Sequence, residues 1–410
     1  MTEAGPPEAS GRIALMLPRF SLYGGVEQFG FHLARCLARR GHEVDFLCAR
    51  QETEAPPGVR VIALGRPPGS RALKLFWFLL RAELARRGGA YDLSVSLGKN
   101  LSQDIIRMGG GPLKVFWAKS LRALPPGAPR LAKMLRRRLS PVNHLIALTE
   151  KRQFTGKGEV AAVSHLVRDW LLAAYPALKP EKVRVIYNRP DLERFYPPGP
   201  GERASARQAL LALCSASASE RLAQNAPGRL AEALFIGTAS TNFQLKGVGP
   251  LVRAMSGLPE RVHLFVAGGR DASLYKDIAI SLGLEKRVHF CGRVDDMPAF
   301  YKALNIFVLP TYYDACSNAV LEALASGCAV ISSKDNGAAF FLDKEALLDD
   351  PGDVDALAAR LRLFMDRPPP PPFVWPENMP AGVEAFADYV EEKLAEKMLS
   401  AGAGRKSAGP

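Results

Sequence analysis

Between Leu309 and Ser333 the chain reads LPTYYDACSNAVLEALASGCAVISS, and two carboxylates, Asp314 and Glu322, stand eight residues apart in it. An apolar run ends at Leu309-Pro310, a short polar loop follows, and a helix is expected to start near Ser317-Asn318. That places Asp314 in the loop and Glu322 well inside the helix. The first amides of such a helix, those of Ser317, Asn318 and Ala319, have no intrahelical acceptor and sit at the positive end of its dipole. A diphosphate fits there. Glu322, about a turn further on, can then accept both hydroxyls of a ribose. The competing reading is an ordinary N-cap from Ser317 or Asn318 with Glu322 facing solvent. Pattern alone leaves both open.

These residues need a scaffold, and the rest of the chain supplies its outline. Short apolar runs alternate with helix-length segments: strands are expected at Arg12–Leu17, Glu43–Cys48, Val59–Leu64, Tyr91–Ser96, Glu159–Ser164 and Val183–Tyr187, with an amphipathic helix at Gly25–Arg40. Such alternation indicates parallel α/β units. The stretch from Arg189 to about Gly228 breaks the pattern and reads as a connection between domains. The series then restarts at Ala231–Ile236, Val262–Ala267, Val288–Cys291, Ile306–Leu309 and Ala329–Ser332, so two doubly wound sheets are expected. Five prolines, Pro368–Pro372, must run extended. After them Ala381–Leu399 has helical spacing, and the last eleven residues read as disordered.

A length of 410 residues with 48% hydrophobic and 23% charged residues suits two globular domains. The N-terminus lacks a signal pattern, and no apolar run approaches the ~20 residues that span a bilayer. Six scattered cysteines without a CxxC fit reduced thiols in a cytosol better than a disulfide framework. Charge is uneven: Arg60 to Glu159 holds twenty Lys/Arg against five Asp/Glu, in a chain of net charge +13. That points to an anionic partner for the first half. No metal site stands out; Asp295-Asp296 lacks D-x-D spacing and reads as a helix cap.

Further motifs follow one another in order: Gly24-Gly25-Val26-Glu27; Ile186-Tyr187-Asn188 through Asp191–Phe195; Phe235-Ile236-Gly237; Lys246-Gly247; Val266-Ala267-Gly268-Gly269; Phe290–Val294; and Asp314-x7-Glu322 with Asn336-Gly337. This set resembles the retaining family-4 glycosyltransferases, and within them the lipopolysaccharide-core glucosyltransferase branch. The resemblance implies a glycosyltransferase-B fold of two facing Rossmann-like domains with a cleft between them. It implies an acceptor domain at residues 1–195, a donor domain at 229–367 and a helix at 377–400 returning to the first domain.

It also implies roles. Glu322 corresponds to the ribose-binding glutamate, Asp314 to the acidic residue at the donor sugar, and Lys246 to the phosphate-clamp lysine, whose ammonium stabilises charge growing on the leaving diphosphate. Gly24, Gly25, Gly237, Gly268, Arg293, Val294, Ser317, Asn318 and Ala319 fall in substrate-binding strips. The co-substrate is then a nucleoside-diphosphate sugar, with no cofactor or metal. Two departures stand out. No arginine precedes Lys246 within Thr238–Leu245, and Pro112-Leu113-Lys114 stands where relatives carry a histidine.

The segment Pro112–Pro141 interleaves Phe116, Trp117, Leu121 and Leu135 with Lys/Arg and has no acidic residue. It suits an anionic membrane interface; a solvated helix is the plainer reading, and no nucleic-acid motif accompanies it. The expected activity is hexose transfer to a lipid-linked saccharide by a cytoplasmic or membrane-peripheral protein. A nucleotide-sugar epimerase and a non-catalytic nucleotide-sugar-binding module are the alternatives.

Overall fold

A computed structural model describes residues 10–214, 233–269 and 271–406. The chain divides into two compact units. The first takes residues 1–116, 131–188 and 378–410, and the second takes 117–130 and 189–377.

The first unit is built on a seven-stranded parallel sheet of order β5-β3-β1-β6-β7-β8-β9. Its strands are β1 (Arg12–Met16), β3 (Glu43–Cys48), β5 (Val59–Ala63), β6 (Leu93–Ser96), β7 (Ile105–Met108), β8 (Glu159–Ala162) and β9 (Val183–Val185). Two short strands, β2 (Arg19–Phe20) and β4 (Arg50–Gln51), pair beyond the ends of β1 and β3. Central strands covered on both faces read as continuous apolar runs, and Ile13–Leu15 are fully buried. The helix Gly25–Arg39 turns Leu33, Ala34 and Leu37 inward. The helix Gly382–Lys406 adds Phe386, Ala387, Tyr389, Val390 and Leu394 to the same core. Arg40 fastens the two helices through Glu384, Asp388 and Glu391 at 2.6–2.7 Å. This last helix continues to Lys406, so the expected disorder from about Ser400 is corrected for residues 400–406. The helix runs on there despite Gly402 and Gly404, among the poorest helix formers.

The second unit carries a six-stranded parallel sheet, β12-β11-β10-β13-β14-β15. Its strands are β10 (Leu234–Ser240), β11 (Val262–Gly268), β12 (Val288–Gly292), β13 (Ile306–Leu309), β14 (Ala329–Ser333) and β15 (Leu347–Leu348). Both sheets are Rossmann-like, as expected. The start of the strand expected at Ala231 lies outside the described residues. Within the expected linker the chain forms a helix, Glu202–Cys214, whose Arg207 donates to Ala303 O at 3.1 Å and Asn305 Oδ1 at 2.6 Å.

The expectation of six reduced thiols is corrected. Cys214 and Cys291 form a disulfide, their Cα atoms 4.6 Å apart, while Cys36, Cys48, Cys316 and Cys328 are buried thiols. Spacing gave no sign of it because 77 residues separate the pair. The fold, not the sequence neighbourhood, sets that helix against β12. Beneath them His263 and His289 lie stacked on neighbouring strands, ring centroids 5.5 Å apart.

Candidate functional site

The second unit gathers Lys246, Asp314 and Glu322 around the carboxyl end of β13, the place where parallel α/β sheets hold ligands. β13 is buried along its whole length and ends at Pro310. The next residues fold onto the loop after β10: Tyr312 N donates to Leu245 O at 3.0 Å, and Thr311 Oγ1 donates to the same oxygen at 3.3 Å. Gly247 makes this approach possible. Its φ of +69° is left-handed, and a Cβ there would overlap the Pro310 carbonyl oxygen. Lys246 is thereby delivered to the loop, where Nζ pairs with the Asp314 carboxylate and donates to Tyr313 O at 3.2 Å. Both side chains are nearly covered, at 18% and 17% exposure. A cation and a carboxylate thus share one shielded spot.

Asp314 is held on its other side by the chain after β14. Its N–H donates to Asp335 O at 2.9 Å, and its own carbonyl accepts from Gly337 N at 2.9 Å. Asn336 completes the brace, its Oδ1 accepting from Ser317 N at 3.2 Å and from Ala338 N at 3.1 Å. Ser317 caps the helix Asn318–Ala325 by accepting from Val320 N. Both roles weighed for this serine therefore bear on it. It is the N-cap, and its own amide, expected to face a phosphate, is committed to Asn336. Asn318 is exposed at the helix start, and the Ala319 amide has no partner among the described residues.

Glu322 does not face solvent. Tyr301, fully buried at the end of the helix Met297–Ala303, donates its hydroxyl to Glu322 Oε2 at 2.9 Å. Burial raises the carboxyl's pKa, opposed by that hydrogen bond and by the charge of Arg194. Tyr301 is a positioning residue that the motif order could not name, since it lies 21 residues away in sequence. Asp296 caps its helix, accepting from Ala299 N at 3.0 Å, as expected for that acidic pair.

The remaining expected contacts are spread over the unit. Gly268 ends β11 with φ +83°, where a Cβ would strike Ser240 O of the neighbouring strand. Gly237 lies inside β10, where the Leu304 side chain fills the space a Cβ would take. Arg293 is exposed and pairs with Asp295 at 2.7 Å; Val294 follows it, half-buried. The basic residues Lys119 and Arg122, which belong to this unit, both pair with Asp335, Arg122 at 2.9 Å. They brace the residue beside Asn336, so these two cations of the basic segment are already partnered.

In the first unit Gly24 precedes the helix Gly25–Arg39 with φ +105°, and Gly25 opens it with no atom near its missing Cβ. Gly24 is required for the turn; Gly25 leaves open space. At the end of β7, Arg107 is buried, its guanidinium 3.6 Å from the centre of the Phe29 ring and bonded to Asn188 Oδ1 at 2.7 Å. It stands beside Gly109. His165 meets the Tyr187 hydroxyl at 2.9 Å, with burial lowering its pKa. Among the described residues no three His, Cys, Asp or Glu are grouped so as to hold a metal ion. No described helix is long and apolar enough to cross a membrane.

Comparison with known proteins agrees with this architecture. Residues 23–194 match the family described as Glycosyltransferase Family 4, and residues 231–367 match Glycosyl transferases group 1. The lipopolysaccharide core biosynthesis glycosyltransferase LpsE of Rhizobium meliloti is 32% identical over 116 residues, 28% of this chain and 34% of that protein. The alignment therefore takes in about a third of that relative's length. The solved structure of WaaG, a glycosyltransferase involved in lipopolysaccharide biosynthesis, superposes with a TM-score of 0.69 at 17% identity, covering 93% of this chain and 94% of that one. Anabaena HepE in complex with UDP-glucose gives 0.59 at 16% identity, covering 95% and 100%. The chain belongs to the glycosyltransferases of the two-domain glycosyltransferase-B fold, matching family 4 in its first half and group 1 in its second.

Proposed function

We propose that this protein transfers a hexose from a nucleoside-diphosphate sugar to a lipid-linked saccharide such as a lipopolysaccharide core, with retention at the anomeric carbon and without a metal ion. The observation that carries this is the convergence of Lys246, Asp314 and the start of the helix Asn318–Ala325 on one covered spot. When donor binds, the diphosphate takes the place of Asp314 as the partner of the ammonium. Negative charge on the departing oxygen then develops against Lys246 and the helix amides, which need little reorganisation in a shielded site. Asp314 is freed to accept from sugar hydroxyls near the transferring carbon, and Glu322, aimed by Tyr301, accepts from the ribose.

Several findings support the finer terms. HepE binds UDP-glucose, and LpsE and WaaG act in lipopolysaccharide synthesis. A membrane-peripheral location draws support from the helix Ala128–Arg138, which buries no residue and exposes Leu131 and Leu135, with Leu139 just after it, beside Lys133, Arg136 and Arg138. That stripe of leucines among cations suits the interface of an anionic bilayer.

The test is a donor screen in the presence of EDTA, scored by release of nucleoside diphosphate, followed by NMR of the product's anomeric proton. Turnover of a nucleotide hexose with retained configuration supports the reading. A strict need for added Mg²⁺ or Mn²⁺, or an inverted product, overturns the mechanism. Binding of every donor tried without turnover favours the non-catalytic module.

A further inference from the structure

The first unit contains a cavity of about 640 Å³ that none of the chemistry above uses. Its size falls within the range that holds small-molecule ligands. Its wall is apolar, built from buried Leu17, Phe78 and Leu97 with half-buried Val26 and Leu75. Its rim is cationic: Arg19, Arg50, Arg66 and Lys74 line it against a single carboxylate, Glu27. The rim follows the carboxyl ends of three neighbouring parallel strands, with Arg19 after β1, Arg50 after β3 and Arg66 after β5. The β2–β4 pairing sets Arg19 directly opposite Arg50. Lys74 comes from the helix Arg71–Gly88.

The four cations are not equivalent. Arg19 is neutralised by Glu27 at 2.8 Å and Arg50 by Glu52. The side chains of Arg66 and Lys74 have no ion pair or hydrogen-bond acceptor among the described residues. Two unpaired cations over an apolar wall focus positive potential into the concavity. An uncharged sugar has no use for them, and a purely lipid ligand has no use for a rim of four cations.

We propose that this cavity binds the phosphorylated part of a sugar acceptor. The phosphate dianion lies between Arg66 and Lys74, and the carbon face of the sugar rests on Leu75 and Phe78. The inference rests on reading the first unit as the acceptor-binding half, and it names the acceptor's chemistry as a phosphomonoester on a saccharide. Arg19 and Arg50, already paired, hold the rim's shape.

The experiment uses the full chain and four probes: glucose 6-phosphate, glucose, glucuronate and inorganic phosphate, measured by calorimetry at low and moderate salt. Glucose 6-phosphate is expected to bind at least tenfold more tightly than the other three, and to weaken as salt rises. Arg66→Ser and Lys74→Ser are each expected to weaken it about tenfold, and the charge-keeping Arg66→Lys and Lys74→Arg to restore most of the loss. Arg66 is exposed and Lys74 half-buried, and melting temperature checks that the variants fold. Wild-type affinity in the two Ser variants overturns the site. Equal binding of glucose, or tighter binding of glucuronate, overturns the phosphate assignment. Equal binding of inorganic phosphate overturns the sugar face. Uridine and guanosine diphosphate are titrated into the same wild-type preparation. If one binds and glucose 6-phosphate does not, this inference alone falls. If neither binds, the reading of the second unit falls on its own evidence.

Discussion

In the second unit Lys246 already has Asp314 as its partner, and the Ser317 amide already has Asn336. Around the ends of β1, β3 and β5 in the first unit, the side chains of Arg66 and Lys74 have none among the described residues. The contrast separates two ways of preparing for a ligand. A site whose charges are braced beforehand needs little reorganisation as charge moves, which is what a reacting centre requires. A site whose charges stand unpaired gains its partner only from the substrate, which suits recognition. Four changes test how far that division holds.

The largest effect is expected from Lys246→Ala. A fixed ammonium facing the leaving group is comparable to an oxyanion-hole donor, so kcat should fall ~10²–10³-fold, about 3–4 kcal/mol. Donor affinity should change much less. An equal fall in both, measured by steady-state kinetics and direct binding, would place the lysine in ground-state binding instead.

Acid comes next. Burial pushes His263 and His289 down to about 4. Both are neutral in the folded protein, and the unfolded chain binds their protons first as pH falls. Their contribution to stability is therefore intact above pH ~6.5 and declines from there toward pH 4, at no more than about 1.4 kcal/mol per pH unit for each histidine. Urea unfolding across that range measures it, and His289→Phe should flatten the slope. An unchanged slope would show that the pair is not what makes the braced unit acid-sensitive.

Glu322→Ala should weaken donor binding by roughly 1.5–3 kcal/mol, the worth of hydrogen bonds to a charged group. Tyr301→Phe should weaken it by about 1 kcal/mol, the typical net worth of one hydrogen bond. Because the Glu322 carboxyl titrates above its ordinary range, donor affinity should begin to fall at a higher pH than an exposed glutamate would give. Titration of uridine diphosphate against pH checks both points. Unchanged affinity in a folded Glu322→Ala variant would remove the carboxylate from the donor site.

The smallest effect concerns the basic helix. Arg136→Ser and Arg138→Ser should each reduce sedimentation with anionic liposomes by ~1 kcal/mol at low salt. Arg137 is half-buried and lies 5.4 Å from the centre of the Phe116 ring, so Arg137→Ser should act on packing more than on membrane affinity. Equal loss in all three would mean that the packing seen at Arg137 has no influence on binding.

The strand series was legible because buried parallel strands are written as apolar runs: Glu43–Cys48 and Ile306–Leu309 match the structure end to end. β7 was not legible, since IIRM carries a buried arginine whose charge disguises the strand. The helix Glu202–Cys214 was hidden inside a stretch marked as a connection by its prolines and glycines. Motif order pointed to Lys246, Asp314 and Glu322, yet it could not show that Lys246 and Asp314 pair or that Tyr301 aims Glu322. Those partners come from other elements, and only the packing of the sheet brings them close. The disulfide was missed for the same reason.

The helix Gly382–Lys406 has a further meaning when the order of synthesis is considered. The first unit's core includes Phe386, Ala387, Tyr389, Val390 and Leu394, and these are synthesised only after the last residues of the second unit. Residues 189–377 of the second unit are contiguous and precede them. During translation, then, the second unit can close its sheet while the first, begun earlier, still exposes the apolar face of the helix Gly25–Arg39. A chain released just before residue 382 would carry every strand and helix of the second unit but would lack the part of the first unit's core that this last helix supplies.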